Sequence, residues 1–397
     1  GTNNIFFSYF NNIYILNFSI YIFFKKVKKK KIIIYHPYSY IGGADNSLKR
    51  LIENLDKNRF SVTFISLNQS ILKNQLKNVE FINLDTKKAL FSLFRLRTIV
   101  KKIVNLKKFE KVIVLSNQNF ANIIAFFSLL GIKNIKKIFV DRNHLDELKF
   151  SSTIFKKIKN TVIKILIRIT YVYADMVIGI SKKLSRDLSN FCKIKVKTIY
   201  SPAYDLSIIK KASKFIRVNK KFKYIVNVSR FTKRKDIYTT LNGFNLVASK
   251  IKNLKLILVG YGNEYKNIKN YIDKLNLKNK VIIIYNCKNP YPYIKKSDLL
   301  ILSSHYEGMG NVLVEAIILK TPVISSNCNS GPSEILLNGK GGDLFKVSDY
   351  KDLSNKILRH FKNKKHLLKK LKFAQKKLYR FDIKRHAKIY SKVFNEI

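Results

Sequence analysis

A chain of 397 residues exceeds one typical domain of about 100 to 200 residues, and its apolar content of 46% is sufficient for two hydrophobic cores. Its 78 basic and 24 acidic side chains give a net charge of +54, but 65 of the basic residues are lysines spread along the chain and 13 are arginines. Base-reading nucleic-acid sites depend on arginine, and no DNA- or RNA-binding motif accompanies the charge, so nucleic acid is disfavoured as a partner while an anionic lipid surface stays open.

Residues 5–24 carry no charged side chain and are long enough to cross a bilayer core of about 30 Å. Their three asparagines make a crossing costly, whereas the lysine-rich run 25–31 would hold the following chain on the cytoplasmic side. The charge follows the apolar stretch and no small-residue cleavage site is present, which argues against a secretory signal. We expect residues 1–30 to be either a membrane anchor or a disordered extension.

Strand-like apolar runs alternate with helical patterns over residues 31–205, which is typical of a parallel sheet with crossover helices. The predicted strands end near His36, Ser66, Ser116, Val140 and Ser181. Before the last of them, the segment 154–169 mixes aliphatic residues with lysines and Arg168. It is predicted to be a helix, serving either as scaffold or as a basic amphipathic surface that docks on anionic lipid.

A second strand-helix series lies within the domain predicted at residues 206–380, and a lysine-rich hinge at 202–222 separates it from the first series. Its predicted strands are YIVNVS, LKLILVG, VIIIY, DLLILS and PVISS. Residues 381–397 are predicted to form a helix that crosses back to the first domain. The fold class is therefore α/β, with two Rossmann-like, doubly wound parallel-sheet domains facing each other across a cleft.

The motif SSHYEGMGNVLVEA, residues 303–316, follows a predicted buried strand and opens a helix. Its turn offers backbone N–H groups to an anion at the helix N-terminus. The turn residues are Gly308, Met309, Gly310 and Asn311. Glu307 and Glu315 flank this turn, and carboxylates accept hydrogen bonds from the vicinal hydroxyls of a sugar. The alternative is a purely structural Gly-rich turn with a capping glutamate.

A second polar cluster follows the strand YIVNVS, where Arg230 and Lys235 lie five residues apart. Ligands of open α/β sheets bind at the carboxyl ends of the strands. Two cations at that edge can neutralise a diphosphate and stabilise it as a leaving group.

These motifs together resemble the donor-binding domain of glycosyltransferase family 4, the retaining nucleotide-sugar transferases of the GT-B fold. The resemblance rests on E-x7-E at Glu307 and Glu315, on Arg-x4-Lys at Arg230 and Lys235, and on the strand-loop LILVGYGNE. The segment SSNCNSGPSEILLNGKGGDLF resembles the members that assemble polysaccharides and lipid-linked oligosaccharides. The resemblance to the family covers the chain from about Lys31 to the C-terminus.

The resemblance implies a role for each donor-site residue. Arg230 and Lys235 would hold the donor diphosphate, Glu315 the ribose hydroxyls and Glu307 the hydroxyls of the transferred sugar. Residues 308–311 would add backbone contacts. Arg230, Lys235 and Glu307 would also take part in catalysis.

In the first domain, IGGADN resembles the family's GGAE-type loop. Gly42 and Gly43 would let the backbone approach the diphosphate across the cleft, with Asp45 in place of the usual glutamate. His144 stands at a strand end where the family places a polar catalytic residue near the donor sugar or acceptor. Asn143 is the alternative equivalent, and a structural loop histidine is the other interpretation of His144.

The chain contains no D-x-D sequence, so we expect neither a catalytic metal nor a cofactor. The resemblance implies transfer with retention of a hexosyl or N-acetylhexosaminyl group from a nucleotide sugar to a glycan or lipid-linked acceptor. UDP is the expected nucleotide, with GDP open. Three widely spaced cysteines indicate a reducing compartment, and the expected location is the inner face of the cytoplasmic membrane.

Two other functions stay open at this point. One is a nucleotide-sugar epimerase on the same fold, which the Glu307 and Glu315 pair disfavours. The other is a lipid- or nucleic-acid-binding protein that uses its basic surface alone, which leaves the four charged motif residues unexplained. Its salt-sensitive binding would not respond to changes at the two glutamates.

Overall fold

The computed structural model describes residues 28–38, 42–142, 144–149, 153–216 and 219–397. The predicted anchor or extension at 5–24 lies outside these ranges. No helix of the described residues is both long and apolar enough to span a bilayer.

The first half of the chain forms a parallel sheet with strand order β3-β2-β1-β4-β5-β6-β7. Its strands are β1 (Lys30–Tyr35), β2 (Phe60–Ser66), β3 (Glu80–Asn83), β4 (Val112–Asn117), β5 (Ile135–Asp141), β6 (Met176–Gly179) and β7 (Val196–Thr198). Its helices are α1 (Gly43–Glu53), α2 (Leu93–Asn105), α3 (Asn119–Leu129), α4 (Ile154–Thr170) and α5 (Lys182–Cys192).

The second half forms a parallel sheet with strand order β10-β9-β8-β11-β12-β13. A short helix, α6 (Ser207–Lys211), lies between the two sheets in sequence. The strands are β8 (Lys223–Val228), β9 (Leu254–Gly260), β10 (Val281–Tyr285), β11 (Leu299–Leu302), β12 (Val323–Ser326) and β13 (Asp343–Phe345). The helices are α7 (Ile237–Val247), α8 (Tyr265–Lys274), α9 (Tyr291–Lys296), α10 (Asn311–Ile318), α11 (Pro332–Ile335), α12 (Tyr350–Lys362), α13 (Lys364–Gln375) and α14 (Ile383–Glu396).

Helices cover both faces of each sheet, so the central strands are buried along their whole length. Ile32, Ile33 and Ile34 of β1 are fully buried, as are Leu299, Leu300 and Ile301 of β11. Continuous apolar runs, and not alternating ones, are what a parallel sheet buried on two faces requires. The predicted doubly wound α/β fold is confirmed by these two sheets.

The last helix, α14, leaves the second half of the chain and packs against α1 of the first. Asp382 caps it by accepting a hydrogen bond from the Arg385 N–H at 2.7 Å. Phe394 packs edge-on against Phe60, with ring centroids 5.6 Å apart. Lys30 Nζ donates to the Phe394 carbonyl at 3.3 Å. The helix therefore ties the two ends of the chain together.

His386 lies buried on α14, and this burial makes the fold acid-sensitive. Burial and the nearby Arg142 lower the pKa of His386 from 6.5 to about 3. Between these values the unfolded chain binds a proton that the folded protein does not, so stability is lost as the pH falls. From pH 7.5 to pH 5 we expect this group to remove about 2 kcal/mol from the free energy of unfolding.

His386→Phe is expected to abolish this contribution. Urea unfolding of both proteins at pH 7.5 and pH 5 measures it, with Tyr390→Phe as the control because Tyr390 packs against His386 and does not titrate there. An identical pH dependence in wild type and His386→Phe would contradict the assignment.

Candidate active site

Two loops at the carboxyl edge of the second sheet meet and form the centre of the site. One follows β8 and carries Arg230 and Lys235, and the other follows β11 and carries Glu307. Ser303 Oγ donates to the Lys235 carbonyl at 2.9 Å, and the His305 N–H donates to the Arg234 carbonyl at 2.9 Å. These bonds hold the two sequence motifs side by side.

Lys235 and Glu307 form a buried ion pair in which Nζ donates to Oε1. Their side chains are 12% and 7% exposed. Ser304 Oγ donates to the same carboxylate oxygen at 2.6 Å. Burial opposes ionisation of Glu307, but Lys235, Arg234 and these hydrogen bonds outweigh it and lower its pKa. Glu307 therefore stays a charged hydrogen-bond acceptor at neutral pH.

Two arginines lie near the Lys235–Glu307 pair. Arg234 lies over the Tyr306 ring, 5.4 Å from its centroid, and Arg230 is exposed. Both arginines add to the effect of burial in lowering the pKa of Lys235. Within the described ranges, Arg230 makes no hydrogen bond or ion pair through its guanidinium. The pair and the two arginines together carry one negative and three positive charges, which leaves a positive field that suits a further anion.

The turn between Glu307 and α10 touches the first domain directly. A Cβ at Gly308 would lie 1.7 Å from the Arg142 carbonyl oxygen, so this contact requires glycine. Gly310 has a φ of 80°, in the left-handed region, and lets Asn311 begin the helix. The side chain of Met309, within the turn, is buried. Ser330 Oγ donates to the Gly308 carbonyl at 2.9 Å.

The glycine loop of the first domain meets this turn across the cleft. Gly42 precedes α1 and Gly43 is its first residue. A Cβ at Gly43 would lie 3.7 Å from Asn311 Nδ2, and Asn311 also reaches Ser201 Oγ at 3.5 Å. Asp45, in the first turn of α1, is buried. Two helix N-termini, those of α1 and α10, therefore lie next to each other, and both attract anions.

Glu315 lies in the second turn of α10 and faces different neighbours from Glu307. Burial raises the pKa of Glu315, and Arg50, Lys211 and a hydrogen bond with Tyr291 offset this only in part. The two glutamates of the E-x7-E motif thus lie in separate environments. The surroundings of Glu307 lower its pKa, whereas those of Glu315 raise its pKa.

His144 follows β5 and pairs with Asp187 of α5, with Nε2 and Oδ2 2.6 Å apart. Lys183 Nζ donates to the other oxygen of Asp187 at 3.2 Å. Asn143, the alternative equivalent, lies outside the described residues. Asp187 could not be identified as a partner of His144 from sequence, because it lies 43 positions away on a helix of mixed composition.

Glu334 makes a second contact between the domains. Its carboxylate accepts hydrogen bonds from the Lys182 and Lys183 N–H groups at the start of α5, at 2.9 and 2.7 Å. Beside it the Ser181 and Ser330 hydroxyls lie 2.5 Å apart. Glu334 lies in the segment SSNCNSGPSEILLNGKGGDLF, which suggested no role for this residue, and Arg234, Ser304 and Asp187 were not predicted to belong to the site.

In the described part of the chain, no three His, Cys, Asp or Glu side chains come close enough together to hold a metal ion.

Comparison with known proteins gives sequence relatives and structural neighbours of this chain. Residues 209–377 match the family of glycosyl transferases group 1. An uncharacterized glycosyltransferase of Methanocaldococcus jannaschii is 28% identical over 291 residues, 69% of this chain and 70% of the relative. The capsular polysaccharide biosynthesis glycosyltransferase CapM of Staphylococcus aureus is 26% identical, over 77% of this chain and 82% of the relative.

Among solved structures, HepE of Anabaena in complex with UDP superposes with a TM-score of 0.74 at 18% identity. The superposition covers 92% of this chain and all of HepE. At this identity the likeness concerns the fold, which is GT-B. In sequence, residues 209–377 are thus similar to the group 1 glycosyltransferases, and the chain as a whole has the GT-B fold.

Proposed function

We propose that this protein transfers a hexosyl or N-acetylhexosaminyl group, with retention and without a metal, from a UDP-sugar to a glycan or lipid-linked glycan. The observation that carries the proposal is the Lys235–Glu307 pair beside the two facing helix N-termini. CapM, whose name assigns it to capsular polysaccharide biosynthesis, supports the acceptor class. HepE, solved with UDP, supports the choice of UDP over GDP.

The donor would bind with its diphosphate between Arg230, Lys235 and the N-termini of α1 and α10. Arg230 is exposed and without a partner in the described ranges, so it can turn toward the phosphates. Gly42 and Gly43 leave room for a close approach of the backbone. Glu315 would bind the ribose hydroxyls, as the family resemblance implies.

Glu307 would accept hydrogen bonds from the transferred sugar, because its lowered pKa keeps it charged. In a retaining transfer the acceptor oxygen bonds to the anomeric carbon on the face that the diphosphate leaves. The bond from that carbon to the phosphate oxygen breaks, and the acceptor proton passes to the departing diphosphate. Arg230, Lys235 and the helix N-termini would stabilise the charge that develops on this leaving group.

Metal independence is part of the proposal. The chain has no D-x-D sequence, and the three cations around the diphosphate position supply the charge that a divalent ion would otherwise provide. His144 would position the donor sugar or acceptor, with Asp187 holding its imidazole in place.

The protein would act in the cytoplasm, in peripheral contact with the anionic inner face of the cytoplasmic membrane. Its net charge of +54 favours such a surface. A lipid-linked acceptor would be presented there.

Thermal denaturation with UDP, UDP-sugars, GDP and GDP-sugars tests the donor site. At 100 times its Kd, UDP is expected to stabilise the folded protein by about 2.7 kcal/mol, which raises the Tm by about 5 °C. The shift should survive EDTA and shrink in Glu315→Ala. A shift with GDP alone would contradict the nucleotide assignment, and loss of the shift in EDTA would contradict metal independence. No shift with any nucleotide, in folded protein, would favour a basic binding protein on this scaffold.

A further inference from the structure

Helix α4 has two apolar faces, and the fold uses only one of them. Ile163, Ile167 and Thr170 are buried against the first domain. A helix on the surface of a domain usually has one apolar stripe, and a second stripe indicates a second contact.

The second face carries an exposed stripe of five aliphatic residues. They are between 48% and 63% exposed. The exposed stripe consists of Ile154, Ile158, Val162, Ile165 and Ile169. Their spacing of three and four residues places them on one side of the helix, and at 100° per residue that side is opposite Ile163 and Ile167.

Aromatic residues enlarge the exposed stripe at its ends. Phe155 adjoins it at the N-terminal end, and Tyr173 follows its C-terminal end; both are exposed. The Tyr173 ring contacts Phe126 of α3, with centroids 5.4 Å apart. Phe127, next along α3, is also partly exposed. Aromatic residues of this kind suit the boundary between lipid head groups and acyl chains.

Basic residues border the exposed stripe on both sides. Lys157, Lys164 and Arg168 follow one border and Lys159 lies on the other. No acidic residue occurs between Thr153 and Tyr173. If two copies of this helix packed together, basic borders would meet basic borders, which disfavours self-association. An anionic bilayer offers both the apolar interior and the opposite charge.

We propose that α4 is the membrane-docking surface of this protein, inserting its exposed stripe among the acyl chains of an anionic bilayer. Lysine and arginine at the borders contact the lipid phosphates. Asn160 of this helix donates through Nδ2 to the Leu148 carbonyl at 3.0 Å, and Leu148 lies four residues after His144. Docking through α4 therefore holds the segment that carries His144 close to the bilayer.

Vesicle binding by the full-length chain tests the proposal. Wild type is mixed with vesicles of phosphatidylcholine, with or without phosphatidylglycerol, and the bound fraction is measured by sedimentation. We compare Ile158→Asn/Ile165→Asn with Leu246→Asn/Leu368→Asn, whose leucines are exposed on α7 and α13. The stripe variant should bind phosphatidylglycerol vesicles at least about tenfold more weakly, and the control within about twofold of wild type.

A second pair of variants tests the charged borders. Lys157→Gln/Lys164→Gln/Arg168→Gln should also lose at least about tenfold in binding, whereas Lys266→Gln/Lys269→Gln/Lys274→Gln on α8 should lose far less. Both remove three positive charges, so net charge alone cannot explain a difference between them. Residues 5–24 are present in every variant, and their contribution to binding cancels.

Three results would overturn the proposal. The first is vesicle binding by the stripe variant that equals vesicle binding by wild type. The second is vesicle binding by wild type that does not depend on phosphatidylglycerol. The third is self-association in sedimentation velocity that the stripe variant abolishes without a change in vesicle binding, which would assign the stripe to a second copy of the chain. Binding is measured without nucleotide, so a failure of the proposed transfer reaction would not affect it.

Discussion

Replacing Glu307 with glutamine is expected to lower kcat for glycosyl transfer by about 100- to 1,000-fold while UDP still binds. The amide keeps the size of the side chain but loses its charge. Hydroxyls of the bound sugar then lose a charge-assisted hydrogen bond, and Lys235 is left buried without its partner. UDP lacks the transferred sugar that residue 307 would contact, so the affinity for UDP should change far less than kcat.

The matched control is Glu315→Gln, the same chemical change eight residues further along the chain. In the proposed site Glu315 binds ribose, so this variant should weaken UDP binding and raise KM. Initial rates give kcat and KM, and calorimetry gives the Kd of UDP. If Glu307→Gln weakens UDP binding and leaves kcat unchanged, its assignment to the transferred sugar is wrong.

The central strands of both sheets could be predicted from sequence, whereas the short outer strands could not. Burial on both faces gives β1 and β11 continuous apolar runs, and such runs stand out in sequence. Strands β3, β7 and β13 contain three or four residues and were missed. An outer strand has a neighbour on one side only, so Glu80–Asn83 is partly exposed and carries no such run.

The members of the candidate site could be named from motif spacing, but their pairing could not. Arg230, Lys235 and Glu307 follow strands of one sheet, and the carboxyl ends of parallel strands lie at one edge. Lys235 and Glu307 are 72 positions apart in sequence, and their contact depends on how two loops pack together. The pairing of His144 with Asp187 likewise depends on the contact between a loop and α5, which leaves no local pattern.

Replacing Gly308 with alanine is expected to lower kcat/KM by at least about 100-fold, because the contact between the domains leaves no room for a methyl group. The new Cβ would lie 1.7 Å from the Arg142 carbonyl oxygen, and backbone atoms cannot rotate away as a side chain can. The turn 308–311 must then move away from the first domain. That movement separates Asn311 from Gly43, and with them the two helix N-termini proposed to hold the diphosphate.

Gly339→Ala is the matched control. Gly339 has a φ of 90°, but the nearest atom to its Cβ would be 3.9 Å away, so the change strains the backbone without a clash. We expect it to cost about 1 kcal/mol of stability and to leave transfer intact. Kinetics on both variants, with small-angle scattering of Gly308→Ala, separate the two effects. Full activity of Gly308→Ala, with a scattering profile equal to that of wild type, would contradict the prediction. It would show that transfer does not require the close contact between Gly308 and Arg142.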